Sequence, residues 1–154
     1  MIRTIAIDDE PLALQQLANY IESTPFLQLV GKCQSAVEAK EIMEKEEVDA
    51  VFCAIIMPDI NGMDFIKSLP VTPIVVFTTA SSEYAIDGFK VDAADYLLKP
   101  FGMDEFRRAA LRVKQRYEMA VIPKAKITDE DDTVFIKTDK KIMARLSLWK
   151  DSTT

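Results

Sequence analysis

The stretch Ile2-Arg3-Thr4-Ile5-Ala6-Ile7-Asp8-Asp9-Glu10-Pro11 decides how the chain folds. Its first six residues are mostly apolar or β-branched, the composition of a largely buried strand. An acidic pair ends the run, and Pro11 then stands where a helix tolerates proline, in its first turn. Leu14, Leu17, Ala18 and Ile21 follow at i, i+3, i+4 and i+7, one apolar stripe along a helix. The segment therefore reads strand, acidic turn, helix.

Four further runs repeat this strand signature, at residues 27–32, 50–54, 74–78 and 94–98, and helical patterns alternate with them. Ser35-Ala36-Val37-Glu38 opens the second helix as a capping box, with Ala39, Ile42 and Met43 turned inward. A third helix is expected over about 63–69, stopped by Pro70 and Pro73, and a fourth over about 82–90. The fifth, about 103–118, begins with Asp104 and Glu105 and turns basic through Arg107, Arg108, Arg112, Lys114 and Arg116. That order suits the helix macrodipole. Alternation of this kind predicts an α/β protein with a parallel sheet, its right-handed crossovers placing helices on both faces.

Residues 1–118 make one domain on this reading, and residues 119–133, with an acidic run at 129–132, read as a linker. Beyond it two β-rich segments flank Asp139-Lys140-Lys141 as a hairpin. A lone hairpin is marginal in water. A second domain is expected to begin at 134 and to be cut short at 154.

Composition removes several function classes. The chain is 49% hydrophobic, and no apolar run approaches the roughly 20 residues that span a bilayer. The opening apolar segment is too short for a signal peptide, so cytoplasmic residence is expected. With no histidine, Ser-His and Cys-His nucleophiles and ordinary zinc sites are excluded. Residues 1–120 hold 12 Lys/Arg against 19 Asp/Glu, and residues 121–154 hold 7 against 6. An acidic first domain is a poor nucleic-acid binder. In the strand order proposed below, the first strand lies between those of Cys33 and Cys53, leaving them about 10 Å apart. That exceeds the roughly 7 Å a disulfide allows, so free thiols are expected.

In open parallel sheets, ligands bind beyond the carboxyl ends of the strands. Asp8, Asp9, Ala54, Thr79 and Lys99 are all predicted at those ends. Four motifs surround them: Ile7-Asp8-Asp9-Glu10-Pro11, Met57-Pro58-Asp59-Ile60-Asn61-Gly62, Thr79-Ala80, and Asp95-Tyr96-Leu97-Leu98-Lys99-Pro100-Phe101. In this order and at these strand ends, the set resembles the receiver domain of two-component response regulators. The resemblance implies a flavodoxin-like fold with a five-stranded parallel sheet of order 2-1-3-4-5. It implies Mg2+ held by Asp9 directly, by Asp8 through water and by the Ile56 carbonyl. It further implies phosphate contacts from Lys99 and the Thr79 hydroxyl, Tyr96 swinging inward with Thr79, and Pro100 after a cis bond. A sensor histidine kinase would be the partner.

One position departs from that pattern. Ala54 stands where the family carries its phosphoacceptor aspartate, three residues before Met57-Pro58. Without it no acyl phosphate forms, and Mg2+ binding should be weak or absent. Asp59, the nearest other acid, is expected to point to solvent.

Residues 134–142, Val-Phe-Ile-Lys-Thr-Asp-Lys-Lys-Ile, resemble the opening of a LytTR-type DNA-binding domain, although Ser152 departs from that pattern. DNA binding would belong to a longer parent only. The leading expectation is thus a transcriptional response-regulator receiver that is not phosphorylated and is not an enzyme. A second is a phosphorylation-independent module pairing with its own copy through the fourth helix, fifth strand and fifth helix, with Glu83 and Asp87 facing Arg107, Arg108 and Arg112. A third, a Mg2+-dependent phosphohydrolase, would still need a nucleophilic aspartate in the pocket.

Overall fold

Three strands of this chain carry side chains that are apolar on both faces, and the fold supplies two cores to receive them. A computed structural model of the chain describes residues 1–81 and 92–121. The strands are β1 (Ile2–Ile7), β2 (Leu27–Cys33), β3 (Ala50–Ala54), β4 (Ile74–Thr79) and β5 (Asp95–Leu98). They form one sheet in the order β2-β1-β3-β4-β5, every neighbouring pair parallel. The helices are α1 (Pro11–Glu22), α2 (Ala36–Lys45), α3 (Gly62–Lys67) and α4 (Met103–Val121). The predicted helix at 82–90 and the predicted hairpin beyond 133 lie outside the described residues. The compact unit Met1–Tyr117 contains the whole sheet.

Alternation along the strands sorts the core into two layers. Ile5, Ile7, Val51, Cys53, Val75 and Phe77 pack with Ala36 and Ala39 of α2 and Phe65 and Ile66 of α3. Ala6, Phe52, Val76 and Leu97 pack with Leu14, Leu17 and Ile21 of α1 and Phe106, Ala109 and Val113 of α4. Phe52 and Phe106 stack at 5.0 Å between centroids, and Tyr20 meets Phe106 at 5.4 Å. Each fully buried phenylalanine contributes about 1.5–3 kcal/mol over its exposed state, so this trio fastens α4 and α1 to the middle of the sheet.

The helix ends match expectation at the start of α2 and depart from it elsewhere. Ser35 caps α2 by accepting from Glu38 N, while the Glu38 carboxylate accepts from Gln34 N. Ile42 and Met43 are only partly buried. Asp59 is exposed, as expected, and its Oδ2 also accepts from Ala36 N at 3.1 Å, giving the start of α2 a second anionic cap. Helix α3 stops before its prolines, where Ser68 N and Oγ turn back onto Asp64 O and Phe65 O. Helix α4 continues past Glu118 into the stretch expected as linker, and its last turn holds no basic residue. Arg108 and Arg112 bind Asp95 of β5, while Arg107 pairs with Asp104 and Arg116 with Asp92. Among the described residues, no helix is long and apolar enough to cross a membrane.

Cys33 and Cys53 are both free and buried, on strands that pair with Ile7 from opposite sides. Burial, aided by the Glu38 carboxylate, pushes the Cys33 thiol up from its ordinary 9.0 to about 12. Burial also drives Cys53 upward, with the Asp8 charge as a lesser cause. Both thiols should be silent toward Ellman's reagent at pH 8 in the folded chain and react on denaturation. Because the folded pKa lies above the unfolded one, the stability associated with the neutral Cys33 thiol is complete below about pH 9. It should decline as the pH rises toward about 12. Rapid labelling at pH 8 without unfolding would contradict this.

Candidate functional site

The first residue past β1 is Asp8, and the first past β5 is Lys99. Asp8 is 1% exposed, and its backbone N–H donates to Cys33 O at 3.0 Å, which holds the chain over the sheet edge. Its Oδ1 accepts from Glu10 N, and its Oδ2 receives Lys99 Nζ at 2.7 Å. Asp8 therefore does not cap α1: Glu10 is the N-cap, without a side-chain cap bond, and Pro11 follows. Lys99 retains 23% side-chain exposure and also lies 3.8 Å from Glu10 Oε1. The Lys99–Pro100 peptide bond is cis.

Thr79 closes β4 beside this pair. Its carbonyl accepts from Lys99 N at 2.7 Å, and its hydroxyl accepts from Ser81 N at 3.1 Å. Thr79 and Lys99 are thus joined through the backbone, while the Thr79 side chain stabilises the turn that follows. Tyr96 is half-buried, its ring 5.6 Å from Phe77. Burial, and then the charge of Asp92, raises its phenol above the ordinary range. Asp9 is exposed, and Ile56 lies beyond β3 with its side chain outward.

Ala54 ends β3, is 2% exposed and pairs in register with Thr78. Asn61 caps α3 through Met63 N, and Gly62 N donates to Ile55 O at 2.6 Å. A Cβ on Gly62 would collide with the Ala54 carbonyl oxygen. The Asn61-Gly62 pair is more than a turn signal: the glycine lets α3 start directly against the end of β3.

The site extends to three residues that motif reading leaves without a role. Asp95, nearly buried, accepts from Arg108 Nε at 2.9 Å and Arg112 Nη1 at 3.0 Å. These bonds tie β5 to α4. They also commit two of the three arginines expected to pair with a second copy. Thr78 Oγ1 is buried and has no hydrogen-bond partner among the described residues. An unpaired buried hydroxyl costs on the order of 1–3 kcal/mol. Asp59 is occupied by α2. Charge spacing hinted at the Asp95 contacts, since residues 108 and 112 share a helix face, but no sequence pattern marks the Thr78 hydroxyl.

A profile of the response regulator receiver domain matches residues 4–111. The chain belongs to the response regulator receiver domain family. It is 34% identical over 128 residues to the transcriptional regulatory protein BtsR of Escherichia coli K12, covering 80% of this chain and 54% of BtsR. It is 32% identical over 136 residues to the sensory transduction protein LytT of Bacillus anthracis, covering 86% of this chain and 55% of LytT. The chain thus spans about half the length of the curated relatives it matches. The crystal structure of the response regulatory domain of mrkE from Klebsiella pneumoniae superimposes with a TM-score of 0.69 at 27% identity, covering 77% of this chain and 99% of that domain. The receiver fold and sheet order 2-1-3-4-5 are therefore those of two-component signalling domains.

Removing the cation should expose how much the Asp8–Lys99 contact holds. Lys99→Met leaves a buried carboxylate unpaired and should lower stability by about 2–3 kcal/mol, below the 3–5 of fully buried pairs because Lys99 is partly wet. Adding Asp8→Asn should recover part of the loss, measured by urea unfolding. Equal stability of Lys99→Met and the parent would show the pair to be incidental.

Proposed function

We propose that this chain is the receiver part of a transcription-controlling response regulator in which Ala54 occupies the phosphoacceptor position, so that it takes up no phosphoryl group. The observation that carries the reading is the end of β3: a buried methyl at residue 54, in a sheet edge otherwise furnished with Asp8, Thr79 and Lys99. An acyl phosphate forms when a carboxylate oxygen attacks phosphorus and the donor's oxygen or nitrogen leaves. A methyl group has no lone pair for that attack. Asp59, already held by Ala36 N, is poorly placed to substitute.

Receiver domains bind Mg2+ at the phosphorylation site. The donors here fit that ion poorly. Asp8 is committed to Lys99, Ala54 offers no side-chain oxygen, and the described residues hold no cluster of three His, Cys, Asp or Glu suited to a metal. Asp9 and the Ile56 carbonyl are the remaining candidates to hold it.

Response regulators interact with sensor histidine kinases, and we assign this chain a partner of that class. On this reading Lys99 and Thr79 retain the positions that would meet a phosphoryl oxygen, and Tyr96 packs behind them. The chain acts as a binding module rather than an enzyme. The transcriptional half of the reading rests on the BtsR relatives and on the LytTR-like segment at 134–154, and would be exercised by a longer chain. Arg108 and Arg112 already bind Asp95, which weighs against a reciprocal ion-pair dimer through β5 and α4.

Incubation with acetyl phosphate and Mg2+ should leave the mass of this chain unchanged and add one phosphoryl group to an Ala54→Asp variant. A stable adduct on the unaltered chain, at Asp59 or elsewhere, would refute the proposal. A third carboxylate beside Asp8 also brings like-charge repulsion. In metal-free buffer the variant should therefore be about 1 kcal/mol less stable, a gap that Mg2+ narrows.

A further inference from the structure

Asn61-Gly62 is the one Asn-Gly pair in the chain, and Asn19, which precedes Tyr20, is the only other asparagine. An Asn-Gly pair carries a chemistry of its own. The glycine nitrogen, once deprotonated, attacks the asparagine carboxamide carbon; ammonia leaves and a succinimide ring closes. Water then opens the ring at either carbonyl, giving aspartate or isoaspartate. Glycine favours ring closure because it has no side chain to crowd the attacking nitrogen. We propose that Asn61-Gly62 is a deamidation site that the junction of β3 and α3 holds shut, and that it reacts only when the first turn of α3 leaves the sheet. The inference does not depend on the phosphoryl reading.

Several contacts close the site. Gly62 is buried and its N–H donates to Ile55 O at 2.6 Å, so base has no path to the proton that must leave. The Asn61 Oδ1 accepts from Met63 N at 2.8 Å, which fixes the carboxamide on the helix start. A ψ of 133° at Asn61 turns the Gly62 nitrogen away from the carboxamide carbon, and ring closure requires that peptide to swing round. Packing blocks the swing: Gly62 lies so close to the Ala54 carbonyl oxygen that even a Cβ there would collide. Met63, Phe65 and Ile66 hold the helix in the core behind it. Yet α3 spans only Gly62–Lys67, and a helix this short draws its stability from packing alone. Local opening is therefore the route to reaction, at a rate set by the open fraction. The two products differ in consequence. Aspartate keeps a capping oxygen for Met63 N. Isoaspartate adds a methylene to the main chain, so Gly62 N and Ile55 O lose their register and the join beside Ala54 loosens.

The test incubates the complete 154-residue chain at pH 8, folded and in concentrated urea, and follows deamidation by peptide mapping and isoaspartyl methyltransferase labelling. In urea Asn61 should convert, with isoaspartate the major product. The folded chain should react about a hundredfold more slowly. Phe65→Leu, which loosens α3 in its core, should raise the folded rate and leave the rate in urea unchanged. Ser68→Ala, which removes the hydroxyl that closes α3 onto Phe65 O, should do the same and serves if the leucine variant folds poorly. The purified isoaspartyl chain should unfold at lower urea than the aspartyl chain. Equal rates in the folded and unfolded chain would overturn the proposal. So would conversion confined to Asn19, a folded rate that neither variant moves, or isoaspartyl and aspartyl chains of equal stability.

Discussion

The contact between Asp8 and Lys99 joins residues 91 apart in sequence and organises everything at this end of the sheet. β1 and β5 are not neighbours: β3 and β4 lie between them. At about 4.8 Å per strand, the two ends are roughly 14 Å apart. The bond can form only if the chain leaving each strand turns inward over the strands between. The cis peptide at Lys99–Pro100, the bond from Lys99 N to Thr79 O and the anchoring of Asp8 N on Cys33 O accompany those turns. A buried ion pair is weak ground for extra stability, but removing one partner is severe. The pair is better understood as a geometric constraint than as a source of free energy.

Around this constraint the fold leaves the end of β3 tightly enclosed and chemically quiet. Gly62 presses against the Ala54 carbonyl, Cys53 Sγ donates to the same oxygen, and Ile55 N donates to Thr78 O. The backbone at residue 54 is therefore held from both flanks, although the side chain it presents is inert. On the other side of the pair, Asp95 grips α4 through Arg108 and Arg112. A change at Lys99 has a short physical route to α4: one strand, one carboxylate and two guanidinium groups. The arginines are half-exposed, so each bond is individually modest, and it is their convergence on one nearly buried carboxylate that fixes the register.

The sheet was readable in advance because its strands are short apolar runs bounded by acidic, proline and glycine residues and alternate with helical patterns. Asp8 and Lys99 could be placed together since parallel topology sends every strand's carboxyl end to one edge. What escaped reading depended on where individual atoms turn. Asp59 is the solvent-exposed loop acid it looked like, but its hydrogen bond from Ala36 N, which ties it to α2, could not be read in advance. The α4 arginines matched a macrodipole pattern by composition but sit mid-helix, one turn apart, where Asp95 claims two of them. Thr78 gave no signal: a threonine within a β-rich run is ordinary, and only three-dimensional packing reveals that its hydroxyl goes unanswered. The helix expected at 82–90 and the segment from 122 onward lie outside the described residues.

The central claim is that the site keeps its cation and its shape while lacking the oxygen that would bond to phosphorus. Fluorine NMR with beryllium fluoride and Mg2+ reads that oxygen directly, because beryllium fluoride mimics a phosphoryl group by attaching to a carboxylate. The account predicts free fluoride species only for this chain, and distinct bound resonances for Ala54→Asp. Bound resonances on the unaltered chain would show that another carboxylate serves as acceptor and would contradict it.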